Sequence, residues 1–359
     1  MAHRLEQIGD QRVSAVSMAH MTGFCQGVHE VGIGVTDPQI ALRHWENFGY
    51  QHGVAGALDR DTALALYGVD SALRSWRLSH GAADKGLVRL MSWEQSTGPG
   101  LEMAPLRTPG NRWSVQKTDD LLTVWTHAEV ARRQGHAISV LGPILNARSA
   151  VPIAEQRPFV AVVPAAYNLQ FFQPLYQQVV MQRQHIDVGR LGTIAAASLF
   201  RTSEVCHVGL VVYTADLELF DFYERALGLM RTTQRRFTYD TDSPASEMFA
   251  LRPGEAFTEI DFDDPRARAD PSHSLAGRLR IFAVESSSPP VAQVDARPGQ
   301  LGYSLYTLRT NDIRTLWQAV IDCGASRVTP ILTDEFGAPA FSFCTPDGYA
   351  WTAVEGPRD

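Results

Sequence analysis

Cys206-His207-Val208-Gly209-Leu210-Val211-Val212-Tyr213-Thr214-Ala215-Asp216 reads as one apolar strand that closes on an acidic helix cap. Beyond it Leu219, Phe220, Phe222, Tyr223, Ala226 and Leu227 recur at helical spacing, and Gly228 stops the run. The same pattern stands at Val28-His29-Glu30-Val31-Gly32-Ile33-Gly34-Val35-Thr36-Asp37, followed by Pro38 and by Ile40, Ala41, Leu42, Trp45 and Phe48, with Gly49 as the stop. A third copy runs from Gly302 to Asp312 and continues through Ile313, Leu316, Trp317, Val320 and Ile321 to Gly324. A weaker copy runs from Asn111 to Asp119 and leads into a helix stopping near Gly135. Repetition of this kind points to one supersecondary unit used four times.

Short β-type runs follow each helix. In the first unit they are Thr62 to Gly68, Arg74 to Ser79 and Leu87 to Trp93. In the third they are Thr232 to Tyr239, Glu247 to Leu251, Thr258 to Phe262 and Leu279 to Val284. The last unit ends in Phe341 to Glu355, a hairpin turned by Pro346-Asp347-Gly348. The reading divides the chain into an extension at 1–23, a first domain of units one and two at 24–174, a connecting segment at 175–203, and a second domain of units three and four at 204–359. Ser286 to Gly299 reads as a surface linker.

Composition narrows the function. Apolar residues at 45% allow a sizeable core, and a formal charge of −7 without a basic run argues against nucleic acid or an anionic membrane as partner. Four scattered cysteines (Cys25, Cys206, Cys323, Cys344) have neither CxxC nor disulfide-scaffold spacing. With no signal-peptide pattern and no long apolar run, a soluble, cytoplasmic protein is expected. P-loop, GxGxxG, HExxH and GxSxG signatures are missing. Self-association is left open.

Four strand–helix–three-strand units, with the "HVGLVV" and "EVGIGV" strands, the "FYERALGL" helix and the "TPDGYAW" hairpin in order, resemble the vicinal oxygen chelate superfamily of glyoxalases, bleomycin-resistance proteins and extradiol dioxygenases. The resemblance implies an α+β fold of four βαβββ modules, forming two cupped mixed sheets with helices outside. It also implies metal ligands at the start of each first strand and the middle of each last strand. Carried over residue by residue, these positions are His207, Tyr303, Thr352 and Phe282 in the second domain, and Glu30, Met91, Arg112 and Gln170 in the first. Two imidazoles and a carboxylate suit Fe(II) or Mn(II), and this set does not supply them. No cofactor is therefore expected, with Fe(II) or Mn(II) held by His207 and Glu355 as the alternative.

His207 is the candidate general base, because imidazole titrates near neutrality. Tyr303 and Thr352 are candidate donors to a developing oxyanion. Phe282, Glu355, Glu30, Arg112 and Gln170 are candidate substrate contacts, with Glu30 and Arg112 expected to face each other. Against these stand plainer readings. His207 and Tyr303 could be packed strand residues, Glu355 a solvated strand-end carboxylate, and Glu30–Arg112 an ion pair closing an inactive cavity. Trp76, Trp93, Trp113 and Phe172 read as core or cavity wall, and His29 as packing under a helix. Three functions follow: a metal-free lyase, isomerase or cyclase acting on an oxygenated aromatic or polyketide-like small molecule; an Fe(II) extradiol dioxygenase; or a drug-binding type of sequestration protein.

Overall fold

The computed structural model describes residues 25–147, 164–186, 189–239, 247–285 and 292–356. The extension at 1–23 and the Ser-Ser-Ser-Pro-Pro part of the linker lie outside the described residues. Unit one comprises β1 (Val28–Gly34), α1 (Pro38–Asn47), β2 (Gln51–Leu58), α2 (Arg60–Tyr67), β3 (Leu73–Ser79) and β4 (Leu87–Trp93). Unit two comprises β5 (Arg112–Thr118), α3 (Leu121–Arg133), β6 (Ser139–Ala147), β7 (Ala165–Phe172) and β8 (Gln177–Gln184). Unit three comprises β9 (Thr202–Tyr213), α4 (Asp221–Arg225), β10 (Met230–Thr238), β11 (Ala256–Asp263), α5 (Pro265–Ala269) and β12 (Arg278–Val284). Unit four comprises β13 (Gly302–Thr310), α6 (Ile313–Asp322), β14 (Leu332–Thr333), β15 (Pro339–Cys344) and β16 (Ala350–Glu355).

The helices of units one and four begin on the acidic caps read from the sequence, where Asp37 accepts from the backbone N–H groups of Gln39 and Ile40 and Asp312 from Thr315. In unit two the cap is Asp120, one residue beyond Asp119, accepting from Thr123. In unit three Asp216 does not cap α4: a short 3-10 turn at Glu218–Phe220 leads into it, and Phe220 precedes its first residue without a side-chain cap. Their apolar stripes, with Trp45, Val124 and Leu316 among them, pack on one face of the sheets and join a core continuous across both sheets.

The pairing of units differs from the expectation. One eight-stranded sheet runs β14-β15-β16-β13-β1-β4-β3-β2, and the other runs β10-β11-β12-β9-β5-β8-β7-β6. Unit one thus shares a sheet with unit four, and unit two with unit three, through the antiparallel seams β1–β13 and β5–β9. The four units themselves are as read. A continuous run of neighbours in the sequence suggested pairing by proximity, whereas the first strands choose partners by tertiary packing.

Three local expectations also change. Thr62 to Gly68 is mostly helix α2, capped by Asp59 and ended by Gly68 in the left-handed region (φ 71°). Glu247 to Leu251 begins as a helical turn. The connecting segment contains β8, so unit two extends beyond residue 174.

Candidate functional site

Strand register decides which side chains share a face, because directly opposed residues point the same way. Across β7, β8, β5, β9 and β12 one row reads Gln170, Val179, Val115, His207, Arg278. The row beside it includes Trp113, Gly209, Arg280 and Asp261. This is the sheet face opposite the helices, the inside of the cup formed by units two and three. Gly209 is required there: a Cβ would lie 1.9 Å from the Trp113 ring.

The cup has an aromatic part and a polar part. Trp113, Phe172, Phe249, Phe257 and Phe282 form a buried cluster with Val115, Val179 and Val211. Phe282 lies 4.3 Å from Phe249 and 5.5 Å from Trp113, between ring centroids. In the polar part Arg278 is paired with Asp263 (2.6 and 2.8 Å), and Arg280 with Asp261 (2.6 and 2.8 Å). His207 is buried and its Nδ1 has no hydrogen-bond partner; neither do Asn168 Oδ1 and Gln170 Oε1. Burial, reinforced by the charges of Arg280, Arg278 and Arg183, pushes the His207 pKa well below the ordinary imidazole value. The ring is therefore neutral near pH 7 and has unmet bonding capacity.

The cup of units one and four is filled differently. Glu30, at the centre of β1, is fully buried and accepts from Arg77 (2.7 Å), with Arg89 Nε 3.3 Å away. Arg89, on β4, also donates to Tyr67 (3.0 Å), Glu335 (3.2 Å) and Thr307 (2.9 Å). Tyr67 and Ser75 donate to the same Glu335 carboxylate at 2.8 and 2.7 Å. Burial works to neutralise Glu30, but the two arginines outweigh it and hold the carboxyl well below its usual range. Met91, Leu73, Leu305, Ala340 and Val354 fill the remaining space under α2. An ion-pair network fills this cup and leaves Arg89 Nε and Trp93 Nε1 without hydrogen-bond partners, whereas in the other cup the atoms left over are His207 Nδ1, Asn168 Oδ1 and Gln170 Oε1.

His207, Phe282 and Gln170 share one cup, although Gln170 sits on β7 rather than on the last strand of its unit. Tyr303 does not join them. It lies in the other sheet, and its hydroxyl is 2.6 Å from Ser114 Oγ in the core between the sheets. Thr352 is in that other sheet too, 2.9 Å from Ser342 Oγ. Glu355 follows Trp351 and Ala353 in the alternation of β16, on the face turned to the inter-sheet core, so it cannot meet His207 at a metal. Arg112 does not face Glu30. Its Nη2 donates to the Ala350 carbonyl at 2.7 Å, and its guanidinium lies over the Tyr306 and Tyr349 rings. The even–odd alternation of a strand reverses with a one-residue shift, which separates the outward Arg112 from the inward Trp113, while β16 carries no bulge that would turn Glu355 toward the cup.

The residues missed were Arg89, Glu335, Asn168, Arg278, Arg280 and Asp261. A signal existed for the last three: "RLRIF" and "EIDFD" alternate charge with apolar residues and carry opposite signs. A cleft of about 240 Å³ next to the aromatic cluster is lined by residues that include Val211, Tyr213, Asp295, Asp347 and Tyr349. It contains none of the expected site residues.

Among the described residues no group of three or more His, Cys, Asp and Glu side chains could hold a metal ion. In the cup of His207 the nearby carboxylates Asp261 and Asp263 are committed to arginines. The donor set does not fit a divalent metal.

Glyoxalase I from Zea mays aligns over 92% of this chain and 92% of its own, at 15% identity and a TM-score of 0.51. A putative dioxygenase from Bacillus subtilis aligns over 93% of this chain and 86% of its own, at 11% identity and a TM-score of 0.54. The chain has the vicinal oxygen chelate fold. No protein-family model matches the sequence, and no curated protein does. Within the vicinal oxygen chelate fold, then, this chain presents one cup filled by its own ion-pair network and one in which His207, Asn168 and Gln170 each keep an atom without a partner. Among the described residues no helix is long and apolar enough to cross a membrane.

Proposed function

We propose that the cup of units two and three binds a small oxygenated, ring-bearing molecule and that His207 accepts a proton from it without a metal. The observation carrying this reading is a buried, uncharged imidazole with a free Nδ1 on the same face as a wall of aromatic rings. In the step proposed, a C–H bond beside a carbonyl breaks, the proton goes to Nδ1, and the electron pair moves onto the carbonyl oxygen. The imidazolium and the enolate form together across the transferred proton, so each new charge arises beside its opposite. Return of the proton to another carbon gives an isomerase; departure of a leaving group gives a lyase. Tyr303 and Thr352 have no part in this step, being in the other sheet.

The test is proton exchange into 2-tetralone, a ring-fused ketone with acidic C–H bonds, followed by NMR in D2O. The protein should exceed the buffer rate, and His207→Ala should lose about 10²-fold or more of the excess. Exchange no faster than in buffer, with saturable binding of the ketone, would favour the sequestration reading that the aromatic wall also supports. No binding at all would sink both.

A further inference from the structure

The polar heads of this cup point to the kind of molecule it takes. Asn168 Oδ1 and Gln170 Oε1 come from β7, and His207 Nδ1 comes from β9. All three side chains are over nine-tenths buried, and none of these atoms has a partner. A buried acceptor left unpaired costs about 1–3 kcal/mol, so a pair of them on one face needs a compensating donor. Register places Gln170 opposite Val179 and Asn168 opposite Met181, both in the aromatic-walled cluster, so the two amides share the face of His207. Gln170 and His207 are three strand spacings apart, about 14 Å along the sheet and less across its curvature. The guanidinium groups of Arg278 and Arg280 are held bidentately by Asp263 and Asp261, with Glu259 3.5 Å from Arg280. Their positive charge is therefore matched by carboxylates in place, and a ligand anion would have to displace or repel those carboxylates.

Resting on the reading that this cup binds a ring-bearing molecule, we infer that the molecules it binds are flat and uncharged, with two or more fused rings and hydroxyl donors at opposite ends; the substrate of the proton step carries in addition a carbonyl beside a C–H bond. One end donates to the amides of Asn168 and Gln170 and the other to His207, while the rings lie against Trp113 and Phe282. Carboxylates and phosphates of the same shape are excluded by Asp261, Asp263 and Glu259. The same three heads explain why the polar part is unpaired on one side of the cup only: the acceptors await donors, and the arginines do not await acceptors.

The experiment is calorimetric titration of the full chain with three probes sharing one ring system: 2,6-dihydroxynaphthalene, 2-naphthol and naphthalene-2,6-dicarboxylate. The diol should bind at least tenfold more tightly than the mono-ol, and the dicarboxylate should not bind. Asn168→Leu and Gln170→Met should reduce the diol to the affinity of the mono-ol. Because they remove unpaired buried acceptors, these variants should melt no lower than the wild type, an outcome that a purely structural role for the amides would reverse. Equal affinity for diol and mono-ol, or a dicarboxylate that binds as tightly as the diol, overturns the inference while leaving ring binding in place. Failure of all three probes to bind overturns the ring-binding reading itself.

Discussion

Arg89 is one cation among two buried carboxylates, Glu30 and Glu335, and it is fully buried itself. Burial alone would lower its pKa, yet Tyr67, Glu30 and Glu335 raise it above the usual guanidinium value, so it keeps its charge. Glu30 keeps Arg77 at 2.7 Å, but Arg89→Met leaves Glu335 without a cation and should cost about 3–5 kcal/mol in urea unfolding. Adding Glu335→Gln should restore part of that loss; no recovery would mean that Glu335 is not its counter-ion. His29 gives a pH signature. It is buried under the Asp84 carbonyl, and burial lowers its pKa to about 4. A folded-state value below the unfolded one means the unfolded chain binds more protons in acid. Stability is then complete above about pH 6.5 and declines as the pH falls toward 4. His29 should account for about 2 kcal/mol of the loss between pH 7 and pH 5. His29→Gln should remove that share when urea curves at the two pH values are compared, and an unchanged difference would refute the assignment.

At the scale of elements, the acidic caps do what the repeated Asp implied. Asp312 accepts from the Thr315 N–H at 3.1 Å, and the Thr315 hydroxyl donates back to it at 2.7 Å. Asp312→Ala should cost about 1 kcal/mol, read by thermal or urea unfolding, and a change below a few tenths would show that α6 is held by its buried Leu316 and Val320 alone. Helix α2 shows the limit of reading short segments. "DRDTALALYG" carries a cap in Asp59 and a glycine stop, but the eight helical residues between them are too few for periodicity to separate helix from strand. Its position under the cup of units one and four, with Ala63, Leu66 and Tyr67 facing inward, decides the matter.

For the whole molecule, the seams β1–β13 and β5–β9 make the two halves of the chain interdependent. Unit four lies 200 residues and more from the strand it pairs with, as in Glu30↔Thr307 and Val31↔Tyr306. A fragment that begins at residue 204 should therefore lack a folded core when expressed alone, since β13 loses β1 and β9 loses β5. Co-expression with the complementary fragment should restore a folded complex, as seen by circular dichroism and size-exclusion chromatography. A cooperative thermal transition in the isolated 204–359 fragment would contradict this. Contacts at such sequence separation also favour slow folding, because loop closure precedes the reward of pairing.

By itself the sequence determined the local units: four first strands, the helices that follow them (on acidic caps in units one, two and four) and the closing hairpin, because capping and side-chain periodicity act over a few residues. It also exposed His207 as an imidazole in an apolar strand. Tertiary structure alone decided which units share a sheet, which cup is sealed by Arg89 and which keeps unpaired acceptors. Those outcomes depend on pairing between residues far apart in the chain and on one-residue differences in strand register, and neither leaves a periodic mark along the sequence.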